Sequence, residues 1–136
     1  MSSIVVDTSV TMAWCFEDEA TAETEALLDR VVESGGVVPV LWTTEITNVL
    51  AVAERRGRLT EAQSTRFTSL LSQLPIVVVP EWPAASALLA IARSHGLSAY
   101  DSTYMWLAAS RGLPLATLDA RLRSACLASG TETLPS

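Results

Sequence analysis

The sequence predicts an α/β domain in which a parallel β-sheet is covered by helices on both faces. Short apolar runs alternate with longer helix-type segments along all 136 residues, and this alternation is typical of parallel sheets. The apolar runs are continuous, as expected for strands buried on both faces. We find no repeat, low-complexity tract or linker in the sequence, so we expect a single domain over residues 1–136.

Four short apolar runs and a final edge segment predict the strands. The first is Ile4-Val5-Val6, and the clearest is Ile76-Val77-Val78-Val79, which lies between two prolines. β-branched residues dominate both runs, as is typical of strands. The predicted strands are 4–6, 37–38, 76–79, 115–116 and 132–134.

Helix signals fill the segments between these strands. Thr60 can cap a helix, and Gly57, Gly96 and Gly112 each follow a helix-type segment. The predicted helices are about 9–17, 20–34, 43–56, 61–73, 82–95, 99–111 and 119–128.

The charge is distributed unevenly along the chain. The formal net charge is −6, and the segment 17–33 accounts for all of it, with seven acids and a single arginine. We predict that this segment is a solvated helix face. All nine basic residues are arginine.

The sequence predicts a cytoplasmic protein without membrane association. It has no apolar stretch of about 20 residues, and its amino terminus lacks the features of a signal peptide. Cys15 and Cys126 have apolar neighbours and are expected to be buried, reduced thiols. The four tryptophans are expected in the core or at a dimer contact, and His95 at a helix end on the surface.

Four acidic residues lie at junctions between predicted elements. Asp7 follows the first strand, Asp119 follows the 115–116 strand, and Glu45 and Asp101 fall in the first turns of predicted helices. Ligands in parallel sheets collect at the carboxyl ends of the strands. At about 4 Å and an effective dielectric constant of about 20, each pair of like charges costs about 4 kcal/mol. If the four converge, they need a cation, and all-oxygen ligands favour Mg²⁺ or Mn²⁺ and phosphate chemistry.

Each acid also has an ordinary structural explanation. Asp7 and Asp119 can cap the helices that follow them, and Glu45 can complement a helix dipole. Asp101 completes a capping-box pattern with Ser98. The sequence alone leaves the structural and the functional interpretations open.

Polar and basic residues near these acids are candidates for supporting roles. Thr8 and Ser9 lie beside Asp7 and can hydrogen-bond its carboxylate or a metal-bound water. Asn48 is expected on the same helix face as Glu45, and Thr117 lies two residues before Asp119. Helix capping is the alternative for the hydroxyls, and a buried structural position for Asn48. A basic cluster that can bind an RNA backbone comprises Arg55, Arg56 and Arg58, with helix C-terminal stabilisation as the alternative.

Four segments together resemble the PIN-domain nucleases, and in particular the VapC-type toxins of toxin–antitoxin pairs. They occur in the family's order over essentially the whole chain: Val5-Val6-Asp7-Thr8-Ser9, Glu45-Ile46-Thr47-Asn48-Val49-Leu50, Tyr100-Asp101-Ser102-Thr103-Tyr104 and Leu115-Ala116-Thr117-Leu118-Asp119.

This resemblance implies a three-layer α/β/α sandwich with a five-stranded parallel sheet. It implies Mg²⁺- or Mn²⁺-dependent cleavage of RNA by a metal-activated water, with Asp7, Glu45, Asp101 and Asp119 as acidic ligands. Ser9 and Asn48 match the family's supporting polar positions. A homodimer and a separate VapB-like antitoxin are implied as partners.

Other functional classes fit the sequence less well. Phosphoacceptor domains with aspartates around Mg²⁺ generally use a lysine, which this chain lacks. A nucleotide-binding Rossmann domain needs a glycine-rich loop, where this chain has Asp7-Thr8-Ser9. The remaining alternative is a catalytically inactive PIN-like scaffold that binds a protein or RNA partner.

Overall fold

One five-stranded sheet forms the centre of the computed structural model, which describes residues 2–136. All neighbouring strands are parallel, and their order across the sheet is β3-β2-β1-β4-β5. The strands are β1 (Ile4–Val6), β2 (Gly36–Pro39), β3 (Ile76–Val79), β4 (Leu115–Ala116) and β5 (Thr133–Leu134). Because every strand runs in the same direction, all five carboxyl ends lie at one edge of the sheet, as the sequence predicted.

Helices connect the strands and flank the sheet in a three-layer α/β/α arrangement, which confirms the predicted fold class. A short 3₁₀ turn, Glu17–Glu19, separates the first two helices. The seven helices are α1 (Thr8–Cys15), α2 (Ala22–Ser34), α3 (Leu41–Arg55), α4 (Glu61–Gln73), α5 (Ala85–His95), α6 (Ala99–Arg111) and α7 (Ala120–Ala128).

The core is centred on β1, whose three residues are completely buried. Helix α6 packs against β1, β2 and β4 and contributes Tyr104, Leu107 and Ala108 to the buried cluster. The amino-terminal ends of α1 and α6 are thereby fixed relative to the central strand.

The acidic segment 17–33 is solvated, as predicted. All seven of its acidic side chains are exposed, while Thr24, Leu27 and Val31 form the buried face of α2. Thr60 caps α4 through the Gln63 backbone N–H, which confirms that helix start.

Several predicted boundaries were wrong. Helix α3 begins at Leu41 rather than at residue 43, so Glu45 lies in its second turn and not its first. Helix α5 begins three residues later than predicted, because Pro83 disfavours a helical conformation at Trp82. Gly36 belongs to β2, and α2 ends at Gly35 (φ 91°), where the backbone geometry favours glycine.

Burial also differs from the prediction at two places. Cys15 is only half-buried, whereas Cys126 is buried as expected. Strand β3 is the sheet edge, and its Val77 and Val78 are exposed, so the helices do not cover both faces at this edge. Between residues 2 and 136, no helix combines the length and the apolar character that crossing a membrane requires.

Replacing the buried Leu107 by alanine should lower the free energy of unfolding by about 2–5 kcal/mol, because it leaves a cavity beside the central strand. The matched control is Leu127→Ala, since Leu127 is also helical but 59% exposed, against 1% for Leu107. Urea unfolding measures both variants. Equal losses in the two would contradict the assignment of α6 to the core.

Candidate functional site

Asp7 occupies the centre of the carboxyl edge, between β1 and α1, and is only 5% exposed. Its Oδ1 accepts hydrogen bonds from the Ser9 hydroxyl (2.6 Å) and the Val10 backbone N–H (3.1 Å). Its Oδ2 accepts one from the Thr117 hydroxyl (2.5 Å). Asp7 therefore caps α1, as the structural interpretation predicted, and is held by neutral donors.

The environment of Asp7 disfavours its charge. The pKa of Asp7 is raised from 3.8 to about 6, mainly by burial and to a smaller extent by the nearby Asp101 carboxylate. Hydrogen bonds from Ser9, Thr117 and Val10 act in the opposite direction and are outweighed. A cation bound at this edge would lower the energetic cost of ionising Asp7.

Thr117 links Asp7 to Asp119. The Thr117 hydroxyl donates to Asp7 and accepts a hydrogen bond from the Asp119 backbone N–H (3.0 Å). The Asp119 Oδ1 caps α7 through the Leu122 N–H (2.8 Å), while the side chain remains exposed. Ser9 supports the same junction by accepting the Leu118 N–H (3.0 Å).

Glu45 projects from α3 toward the start of α1. Its Oε1 accepts hydrogen bonds from the Thr8 hydroxyl (2.8 Å) and the Tyr104 hydroxyl (2.7 Å). Thr8 was expected to bind the Asp7 carboxylate or a metal-bound water, but its partner is Glu45. The reason is that Thr8 begins α1, where its side chain points to α3 and α6 rather than back to Asp7.

The sequence analysis missed Tyr104. It lies three residues after Asp101 on α6, and residues at this spacing share a helix face, which is the signal that could have identified it. Tyr104 is 2% exposed. Burial, together with Glu45 and Asp7, raises the pKa of its hydroxyl, so Tyr104 stays protonated and acts as a donor.

Asp101 lies in the first turn of α6 and is half-buried. Its backbone N–H donates to the Ser98 hydroxyl (3.1 Å), which is one half of the predicted capping box. Burial raises the pKa of Asp101, and the Asp119 and Glu45 carboxylates raise it further. Asp101 is therefore electrostatically coupled to the other three acids, because the pKa of Asp7 responds to it as well.

The four acids share one edge of the sheet and suit a hard divalent cation. Among residues 2–136, the salt bridges involve Arg58 and Arg111, and none includes Asp7, Glu45, Asp101 or Asp119. In the same part of the chain, no three acidic, histidine or cysteine side chains form a ready-made metal cage. Mg²⁺ does not require one, since it binds through one or two carboxylates and keeps several waters.

The remaining supporting residues are less closely associated with the acids. Asn48 lies exposed on α3 beside Phe16 and Arg56 in a shallow depression, so the alternative of a buried structural position was wrong. Arg55 and Arg56 are exposed near the end of α3.

Arg58 is already engaged by the protein itself. It forms salt bridges with Asp18 (3.1 Å) and Glu19 (2.8 Å), and its guanidinium lies 3.7 Å from the centre of the Phe16 ring. This arrangement pins the 3₁₀ turn to the end of α3 and leaves Arg58 less available for RNA.

Arg123 is a second residue that the sequence analysis missed. Its guanidinium donates to the Thr117 carbonyl (2.6 Å), the Thr133 hydroxyl (3.2 Å) and the Pro135 carbonyl. It fixes the segment that carries Thr117, although nothing in the sequence distinguishes it from the other arginines.

Comparisons with known proteins identify a family and two similar structures. The profile of the PIN domain family matches residues 4–127. PAE2754 from Pyrobaculum aerophilum is 25% identical, with a TM-score of 0.74 over 98% of this chain and 90% of that one. FitAcB from Neisseria gonorrhoeae is 20% identical and shares the fold, with a TM-score of 0.67 over 96% of this chain and 95% of that one. A search of curated proteins finds no match.

In metal-free buffer, the free energy of unfolding should fall as the pH rises from about 4 to about 6. The folded protein holds the Asp7 proton more tightly than the unfolded chain, with a pKa of about 6 against 3.8. This difference corresponds to about 3 kcal/mol. Asp7→Asn removes the ionisable group, so its pH dependence should be flatter than that of the wild type by about this amount.

Urea unfolding at several pH values in the presence of EDTA measures the effect. Asp29→Asn is the matched control, because Asp29 is an exposed aspartate on α2 and should retain the wild-type pH dependence. If the free energy of unfolding of Asp7→Asn and of the wild type depended on pH in the same way, the raised pKa would not belong to Asp7.

Proposed function

Because this chain belongs to the PIN domain family, whose members are generally metal-dependent nucleases, we propose that it is a Mg²⁺- or Mn²⁺-dependent endoribonuclease. The proposed metal ligands and catalytic residues are Asp7, Glu45, Asp101 and Asp119. The observation that carries this proposal is the group of four carboxylates at one sheet edge, with neutral hydrogen-bond donors and no arginine in salt-bridge contact.

The chain's own residues hold the acids in fixed positions. Ser9 and Thr117 orient Asp7, Thr8 and Tyr104 orient Glu45, and the Leu122 N–H orients Asp119. When bound, a divalent ion would activate water and neutralise the charge that develops during phosphodiester cleavage. Asp119 is the most exposed of the four acids and Asp7 the most buried, so we assign the substrate side of the site to Asp119.

RNA contacts are assigned to the exposed Arg55 and Arg56. Excluding the acidic segment 17–33 and the four site acids, the rest of the chain has more arginines than acids, which favours binding of a polyanion. Arg58 is left out of this assignment because Asp18 and Glu19 neutralise it.

The physiological role that we propose is that of a toxin in a VapBC-type toxin–antitoxin module. The resemblance to VapC-type toxins supports this, since it extends over the acidic motifs and the length of the chain. The partner would be a VapB-like antitoxin on a separate chain.

Homodimerisation is part of the same proposal, and an apolar surface supports it. None of the eleven residues of α5 is buried, and large exposed hydrophobic side chains are concentrated between residues 77 and 100 at Val77, Val78, Trp82, Leu89 and Tyr100. Glu81 is the only charged residue between 67 and 92. Over residues 77–100 the charges of Glu81 and Arg93 cancel, and a surface without net charge suits a second copy of an acidic chain, because the two copies can meet there with little charge repulsion.

Asp101→Asn should reduce RNA cleavage by about 100-fold or more, because even residues that only support metal ligands are worth about 10–100-fold. The measurement is cleavage of a defined RNA with Mg²⁺ or Mn²⁺, compared with EDTA. Asp29→Asn makes the same charge change on exposed α2 and should cleave like the wild type. Cleavage that survives EDTA would contradict a metal-dependent reaction.

The same variants test the toxin role in a bacterial host. Expression of the wild type and of Asp29→Asn should arrest growth, whereas Asp101→Asn should not. Equal toxicity of Asp101→Asn would refute a nuclease toxin. A folded wild type that binds RNA without cleaving it would favour the inactive scaffold.

Leu89→Glu should convert the dimer to a monomer, because a two-fold interface would place two new carboxylates against apolar surface. Leu127→Glu is the matched control, since Leu127 is also exposed and helical but lies on α7. Size-exclusion chromatography with light scattering measures the mass. A dimeric Leu89→Glu variant, or a monomeric wild type, would rule out this surface.

A further inference from the structure

Two hydroxyl groups, from α1 and α6, meet at one carboxylate oxygen of α3. Glu45 Oε1 of α3 lies 2.8 Å from the Thr8 hydroxyl of α1 and 2.7 Å from the Tyr104 hydroxyl of α6. The two hydroxyl oxygens are themselves 3.1 Å apart. We call this group the Glu45 clamp.

The direction of the hydrogen bonds in the clamp follows from the chemistry of the groups. An ionised carboxylate can only accept, and each hydroxyl has one proton to donate. If both protons go to Oε1, neither hydroxyl can donate to the other, so the 3.1 Å contact reflects their common target. Hydrogen bonds from hydroxyls to a carboxylate are short and stronger than neutral ones.

The clamp acts on a single oxygen of Glu45. Both described hydrogen bonds end on Oε1, and within residues 2–136 no hydrogen bond to Oε2 is present. Two donors from different directions fix the plane of the carboxylate as well as its position. The result is a carboxylate with one oxygen held by protein and the other available for a ligand.

The clamp also joins the elements that carry the other acids. Thr8 directly follows Asp7, and Tyr104 lies one turn after Asp101 on the same helix. Fixing Glu45 to these two residues therefore fixes the spacing between three carboxylates whose mutual repulsion would otherwise separate them. Glu45 is close enough to Asp101 to raise the pKa of Asp101.

We propose that Thr8 and Tyr104 are positioning residues which hold Glu45 Oε1 so that Oε2 is presented to a divalent cation. This inference rests on the proposed metal-dependent nuclease function. The proposed role of Tyr104 depends on its hydroxyl alone. A phenylalanine at this position would fill the core equally well with its ring.

Mg²⁺ titration of thermal stability tests the inference without relying on activity, since an ion that binds only the folded protein raises its melting temperature. Tyr104→Phe removes the hydroxyl and keeps the buried ring. It should raise the Mg²⁺ concentration that gives a fixed rise in melting temperature, here called the Mg²⁺ midpoint, by about 10-fold, the lower end of the range for residues that support metal ligands. Tyr100→Phe is the matched control, because Tyr100 is on the same helix but 63% exposed, and it should titrate like the wild type.

Variants of Thr8 provide an independent arm. Thr8→Val removes the second hydroxyl at nearly constant shape and should shift the Mg²⁺ midpoint in the same direction. Thr8→Ser retains the hydroxyl and should restore the wild-type midpoint. If Tyr104→Phe fails to fold, the comparison of these two variants decides the question.

The outcomes separate the inference from the function on which it rests. A lower melting temperature in EDTA with an unchanged Mg²⁺ midpoint, for both Tyr104→Phe and Thr8→Val, would make the clamp purely structural and overturn the inference. A wild type that is not stabilised by Mg²⁺ or Mn²⁺ would overturn the metal site itself. A midpoint shift confined to the variants that lose a hydroxyl supports the clamp.

Discussion

The burial of carboxylates beside one another at one edge of a parallel sheet is the constraint around which the candidate site is organised. Burial makes ionisation of Asp7 costly, and the nearby acids raise its pKa and that of Asp101 further. Among residues 2–136 no arginine forms a salt bridge with these acids, and the charge of Arg121 offsets only part of the rise in the pKa of Asp101. The protein supplies hydroxyls and backbone N–H groups, which orient the carboxylates without neutralising them. In the proposed function, the remaining negative charge would attract a cation.

The fold places these groups through a small number of connections. The central strand β1 ends at Asp7, and its neighbour β4 ends at Thr117, so the parallel register brings the two residues together. Helix α6 packs on the same strands and brings Asp101 and Tyr104 to that edge. The buried core of β1 and α6 therefore sets the geometry of the candidate site, and stability and the proposed function would depend on the same contacts.

The sequence predicted the parts that depend on local chemistry. β-branched runs identified β1, β2 and β3, and capping residues located the starts of α4, α6 and α7. The site acids could be named because they follow strands or begin helices. Hydrogen-bond partners depend instead on packing between distant elements, which explains why Thr8 was assigned to the wrong carboxylate and Tyr104 was missed. Arg58 was similarly assigned to RNA because its partners are about 40 residues away in the chain.

The structural and the functional interpretations of the acids are compatible. A carboxylate has about four acceptor positions, two on each oxygen. Within residues 2–136, Asp7 uses two on Oδ1 and one on Oδ2, and Asp119 uses one on Oδ1 to cap α7. Glu45 uses only Oε1. Each of these acids therefore stabilises the fold through part of its acceptor capacity and keeps the rest for a ligand. In the proposed function, an aspartate that caps a helix at this edge of the sheet would be well fixed to bind an ion, because the cap already limits its rotational freedom.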